Sequence, residues 1–133
     1  MVLLHGRPQT WYEWRHLIPV PAREHPVIAP DLRGWGERET ERPAVRSGCE
    51  YHVNTWVSAG QVREAARRPL DIPVPAVAGE HSPGQHMIDF VRRLAPEAQG
   101  VVLPGCGHLV PEERPAELAR LVTDFLAGAP GTE

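Results

Sequence analysis

The sequence predicts an α/β fold: a mostly parallel sheet of about four strands with flanking helices. Three observations lead there. Four short apolar runs lack the alternation of a half-exposed strand, so each reads as a strand buried on both faces. Stretches with apolar residues at helical spacing separate and follow them. Turns bearing Gly or Pro stand where the runs end.

In chain order, Val2-Leu3-Leu4 is the first strand, and His5-Gly6-Arg7-Pro8 is the turn that stops it. Thr10 can cap a helix carrying Trp11, Trp14, Leu17 and Ile18, which Pro19 and Pro21 then end. Residues 26–29 form the second strand, and Pro30-Asp31-Leu32-Arg33-Gly34-Trp35-Gly36 is the glycine-bearing loop after it. From Glu37 to Cys49 the chain is charged and without period, a loop or a splice between two pieces. Residues 56–68 are a helix stopped by Pro69, and residues 73–79 are the third strand. Residues 85–95 put Met87, Ile88, Val91 and Leu94 on one helical face. Residues 100–103 are the fourth strand, and Pro104-Gly105-Cys106-Gly107-His108 is its turn. Residues 115–127 close the chain as an amphipathic helix, with Pro115 suited to its first turn and Leu118, Leu121, Val122 and Phe125 inward. The whole, residues 1–133, reads as a single domain of three stretches: 1–36, 37–68 and 69–133.

At 133 residues one hydrophobic core is possible. The net charge of -3 gives no electrostatic reason to expect nucleic acid or an anionic membrane as partner. No apolar run approaches the ~18 residues that span a bilayer, and no secretory signal is evident at the N-terminus. The two cysteines, Cys49 and Cys106, are too few for a disulfide scaffold and lack metal-ligand spacing. The expectation is a cytoplasmic protein with no cofactor and no metal.

Two of these stretches resemble the α/β-hydrolase superfamily, on its epoxide-hydrolase branch. His5-Gly6-Arg7-Pro8 resembles that branch's oxyanion turn, Thr10-Trp11-Tyr12-Glu13-Trp14 its following helix, and Pro30 to Gly36 the loop after the next strand. Gly105-Cys106-Gly107-His108 with Glu112-Glu113-Arg114-Pro115 resembles its catalytic-histidine turn and final helix. The resemblance implies a nucleophile between the two, on a Gly-x-Asp-x-Gly or Gly-x-Ser-x-Gly elbow, followed by a lid. The sequence contains no such elbow. In Trp56-Val57-Ser58-Ala59-Gly60, bulky Trp56 stands where the first glycine is required. Gly79-Glu80-His81-Ser82 resembles the region of the family's acid, with Ser82 at the usual Asp position and Glu80 as the fallback.

His108, on a turn after a strand, can serve as general acid or base, and Glu80 is the weaker second catalytic candidate. His5, Gly6, Arg7, Trp11 and Trp35 are the candidates for holding substrate, the turn through backbone N–H groups and the rings through an aromatic pocket. The resembled turn also implies a cis Arg7–Pro8 peptide. Asp31 and Arg33 read as loop-fixing partners, and Glu112 and Glu113 as carboxylates complementing a helix start. Cys106 lies two residues from His108 in a turn, where side chains commonly diverge.

Three functions remain open. One is an enzyme acting on a small organic molecule without a covalent intermediate, by epoxide opening, cyclisation or isomerisation of a natural product. Another is a catalytically inactive relic serving in binding or assembly. The third is a half-enzyme completed by another chain. The missing central strands would leave unpaired edges, so a homodimer is expected.

Overall fold

The computed structural model describes residues 1–6, 9–32 and 55–128, with residues 55–58 described by backbone alone. The chain forms two compact units, Met1–Gln61 and Val62–Glu133.

In the first unit, the two expected strands contract to a single parallel bridge between Val2 and Ile28. Leu3 N–H donates to Ile28 O at 2.8 Å, and Ile28 N–H donates to Met1 O at 2.9 Å. Pro26 and Pro30 bracket the second segment, which limits how far a ladder can run. The expectation of burial fails here too, because Val2, Leu4 and Ile28 are 60%, 58% and 61% exposed. Among the described residues no further strand flanks this pair.

Thr10 caps as expected, its hydroxyl accepting from Tyr12 N–H at 3.3 Å. The segment it caps is a 3-10 helix, Trp11–Trp14, with turns after it, rather than the expected longer helix. Leu17 N–H and Ile18 N–H both donate to Trp14 O, and Leu17 is buried. A second short 3-10 helix, Pro21–Arg23, starts on its proline. Helix α1, Thr55–Ala65, runs across the boundary between the units.

The second unit holds the sheet. Strand β1, Pro75–Gly79, pairs in parallel with β2, Gln99–Leu103, in the register Pro75 to Gln99 through Gly79 to Leu103. The described sheet therefore has two strands where four were expected. Helix α2, Gln85–Arg92, makes the crossover. Two further helices come after β2: α3, Val110–Glu113, and α4, Pro115–Gly128, both packed on β1.

Ala76, Ala78 and Ile88 form the core beneath α2, with Val91 and Val102 packed against them. Small side chains on β1 let the helix approach, and Gly100 on β2 lets Ile88 seat. A Cβ at Gly100 would lie 2.2 Å from Ile88 Cγ2. Burying Ile88 stabilises the unit by ~1.5–3 kcal/mol. Met87, expected on the same face, is 37% exposed, because one step along a helix turns a side chain by about 100° from its neighbour.

The other sheet face meets α4. Leu118 and Ala119 are buried; Leu121, Val122 and Phe125 are half-buried. A cavity of about 240 Å³ opens there among Pro75, Val77, Gln99, Val101, Leu121 and Phe125. It lies toward the amino ends of the strands, away from the turn that carries His108. No helix among the described residues is long and apolar enough to cross a membrane.

The glycines give a graded test by urea unfolding. Gly100→Ala should cost ~1–3 kcal/mol, since Ile88 must move out of its place. Gly60→Ala faces open space inside α1 and should stabilise by ~0.5–1 kcal/mol. A Gly100→Ala protein as stable as the parent would refute the seating of Ile88 over β2.

Candidate functional site

The carboxyl end of the two-stranded sheet is built on one close backbone approach. Gly79 ends β1, and a Cβ there would lie 1.9 Å from Gly107 O and 2.5 Å from Cys106 O. Only glycine admits the turn after β2 at this distance. His81 N–H then donates to Cys106 O at 3.0 Å, and Glu80 N–H to Leu103 O at 3.0 Å. Gly105 turns the chain with φ of 59°.

Carboxylates hold the rest of this turn. Glu80 Oε2 accepts from Gly105 N–H at 2.8 Å. Glu113 Oε2 accepts from Gly107 N–H at 2.7 Å, and its Oε1 accepts from Leu109 N–H at 3.0 Å. Arg114 closes the ring of contacts by donating to Gly105 O at 3.0 Å. The two N–H bonds hold the Glu113 carboxyl below the usual carboxylate range, with Arg114 and His81 adding to the effect. The bonds therefore stand at neutral pH and are lost as pH falls through that lowered value.

His108 projects from this turn and is exposed. Its neighbour two residues back is the opposite case. Cys106 is 0% exposed, and its Sγ lies 3.7 Å from Gly107 O. Burial, then the Glu113 charge, pushes its thiol up. The two side chains diverge, so no Cys-His pair forms. No hydrogen bond joins the His108 ring to Glu80 or to any other described residue, and one Glu80 oxygen is taken by Gly105. Ser82 N–H bonds back to Gly79 O at 3.1 Å within the loop after β1.

In the first unit, His5 is buried and both ring nitrogens are engaged. Nδ1 donates to Gly6 O at 2.8 Å, and Nε2 accepts from Leu32 N–H at 2.9 Å. A nitrogen that accepts carries no proton, so the ring is neutral in this arrangement. Asp31 Oδ1, 3.7 Å from Nε2, is then a polar neighbour and not an ion partner. That oxygen instead accepts from Trp11 N–H at 2.7 Å, the loop-fixing role expected of Asp31. Gly6 O also accepts from Gln9 N–H at 3.1 Å, closing the turn. The Trp11 ring is 42% exposed and stands edge-on to Tyr12 at 5.7 Å. Arg15 covers the other ring, its guanidinium 4.3 Å from the Tyr12 centroid.

His5, Gly6 and Trp11 thus share one turn-and-helix junction, while Glu80 and His108 share the carboxyl end of the sheet. Arg7, Arg33 and Trp35 lie outside the described residues, as does the Arg7–Pro8 peptide. Ser58 lies inside α1, between Thr55 and Ala65, and an elbow nucleophile needs a sharp strand-to-helix turn. Among the described residues no group of three or more His, Cys, Asp or Glu is placed to hold a metal ion. Sequence reasoning reads Glu113 as a helix-start charge and misses its bonds to Gly107 and Leu109. The available signal is its position four residues past Leu109, within one helical turn.

The family model for the alpha/beta hydrolase fold matches residues 1–82. The chain belongs to the α/β-hydrolase fold family. Within that family, short stretches of the chain are similar to epoxide hydrolases. A soluble epoxide hydrolase of Corynebacterium sp. (strain C12) is 64% identical over 39 residues, 29% of this chain and 14% of that protein. A haloalkane dehalogenase of Psychrobacter cryohalolentis is 44% identical over 62 residues, 44% of this chain and 20% of that protein. The chain thus spans a small part of the curated relatives it matches. Among solved structures, the ligand-free epoxide hydrolase CorEH superposes with a TM-score of 0.70 at 20% identity, covering 95% of this chain and 90% of that one.

Cys106 offers a direct check on the turn. A thiol-alkylating reagent at neutral pH should leave it unmodified in the native protein and label it only on unfolding, as peptide mapping would read. Labelling under native conditions would mean that the Gly105–His108 turn opens.

Proposed function

We propose that the protein acts on a small organic molecule by general acid–base catalysis at His108, without a covalent intermediate. Opening of an epoxide is the reaction the family suggests; cyclisation or isomerisation of a natural product uses the same equipment. The observation that carries this reading is an exposed imidazole on a clamped turn at the carboxyl ends of parallel strands. Open α/β sheets place their sites there. The family's hydrolytic route first attaches the substrate to an elbow side chain, which water then releases. This sequence has no such elbow, so attack must come directly from water or from a substrate hydroxyl. Glu80 is the nearest carboxylate in sequence to the family's acid position, and its second oxygen is available to a substrate or to a reoriented His108. Within the first unit, the backbone of His5, Gly6 and Arg7 and the rings of Trp11 and Trp35 are the groups proposed to hold a small molecule.

A second reading rests on a different observation. Val2, Leu4 and Ile28 expose apolar strand surface that a full sheet would cover. That surface supports assembly with another chain, either as a homodimer or as a half-enzyme whose partner supplies the elbow. An inactive relic would assemble in the same way and turn nothing over.

The experiment is single turnover of a panel of small epoxides in labelled water, with mass spectrometry of the intact protein. His108→Ala should lower the rate ~10²–10⁴-fold, the usual worth of a general base, while Ser58→Ala changes little. A protein adduct, or label entering a side-chain carboxylate, would refute direct attack. Turnover and ligand affinity both untouched by His108→Ala would leave the relic reading in place. Light scattering addresses assembly in parallel: a dimer is expected, and a clean monomer at high concentration counts against it.

A further inference from the structure

In an acid–base pair the imidazole is normally held by a carboxylate on its ring, and among the described residues no carboxylate bonds the His108 ring. Ser82 stands where the resembled family places its acid, and no described residue bonds the His108 ring. The backbone on either side of His108 is constrained instead. Glu113 alone takes both flanking amides, Gly107 N–H at 2.7 Å on one oxygen and Leu109 N–H at 3.0 Å on the other. Glu80 takes Gly105 N–H, and Arg114 takes Gly105 O, so the base of the turn is fixed by a second pair.

We infer that Glu113 is the positioning residue of His108, orienting the imidazole through the two amides that flank it rather than through its ring. The role needs two acceptor oxygens on one rigid group. A glutamine has one acceptor oxygen and one donor nitrogen, and that nitrogen would face an N–H. An aspartate is shorter by a methylene and cannot span both amides from α3. The groups around the Glu113 carboxylate are Arg114 beside it, His81 from the loop after β1, and the buried Cys106 thiol under the turn. Bonds to charged acceptors are stronger than neutral ones, which suits a clamp on an exposed turn. The catalytic meaning of the clamp rests on the proposed role of His108, but the clamp itself can be tested without turnover.

The test is a pH titration of the full chain by NMR, following the Gly107 and Leu109 amides and the His108 ring. In the parent protein both amides should shift together in the acid range, with one midpoint below the ordinary glutamate value. Glu113→Gln should abolish that shared shift and increase fast motion of His108. Glu97→Gln, an exposed charge change between α2 and β2, should leave both as they are. Amides that titrate separately or not at all in the parent protein would overturn the inference, even if Glu113→Gln fails to fold. So would a folded Glu113→Gln protein in which the order of His108 matches the parent. Absence of turnover in the parent protein would remove the proposed activity while leaving the amide titration intact. If turnover is found, Glu113→Gln should lower kcat with KM little changed, since the substrate contacts are elsewhere.

Discussion

The carboxyl end of the second unit depends on the contact between Gly79 and the carbonyls of Cys106 and Gly107. A parallel pair of strands leaves its two following loops side by side, and here Gly79 lets their backbones touch. With no side chain between them, His81 N–H reaches Cys106 O and Glu80 reaches directly to Gly105. Cys106 is pressed under the turn by the same approach, which removes it from solvent and from chemistry. His108 then has no inward direction left and projects outward.

This arrangement sorts the polar groups into two kinds. Glu80, Glu113 and Arg114 each bond the main chain of the turn. His108 spends none of its ring on any described residue. A histidine with both nitrogens committed is structural, as His5 shows in the first unit, where the Gly6 carbonyl and the Leu32 amide leave the ring neutral and buried. The two histidines come from similar glycine-bearing turns after apolar segments, and their surroundings give them opposite capacities. Chemistry at His108 is possible because its neighbours hold the backbone and leave the imidazole open.

The fold class is legible in the apolar runs of residues 73–79 and 100–103, and the glycines around the second of these mark its turn. The helix over residues 85–95 is legible too, although its face is not: Met87 falls outside because burial depends on where Gly100 lets Ile88 enter. The first unit is less legible. Val2 to Leu4 looks like a buried strand by composition, yet a strand is buried only when neighbours cover it, and composition carries no information about neighbours. The histidine turn is legible from its glycines and from the family resemblance. The function of Glu113 is hidden because a carboxylate in the first turn of a short helix already has an ordinary explanation in the helix dipole.

The missing elbow changes what the remaining parts can be asked to do. In a covalent route, the imidazole acts on a water aimed at a fixed ester. In direct attack there is no adduct, and the imidazole must itself aim the nucleophile at a freely bound substrate. Under the proposed direct attack, that demand falls on a ring that no described residue bonds. A main-chain clamp answers that demand in part, because it fixes φ and ψ at His108 and leaves only the side-chain rotation free. The residual freedom about χ1 and χ2 sets a ceiling on the rate that such a site can reach.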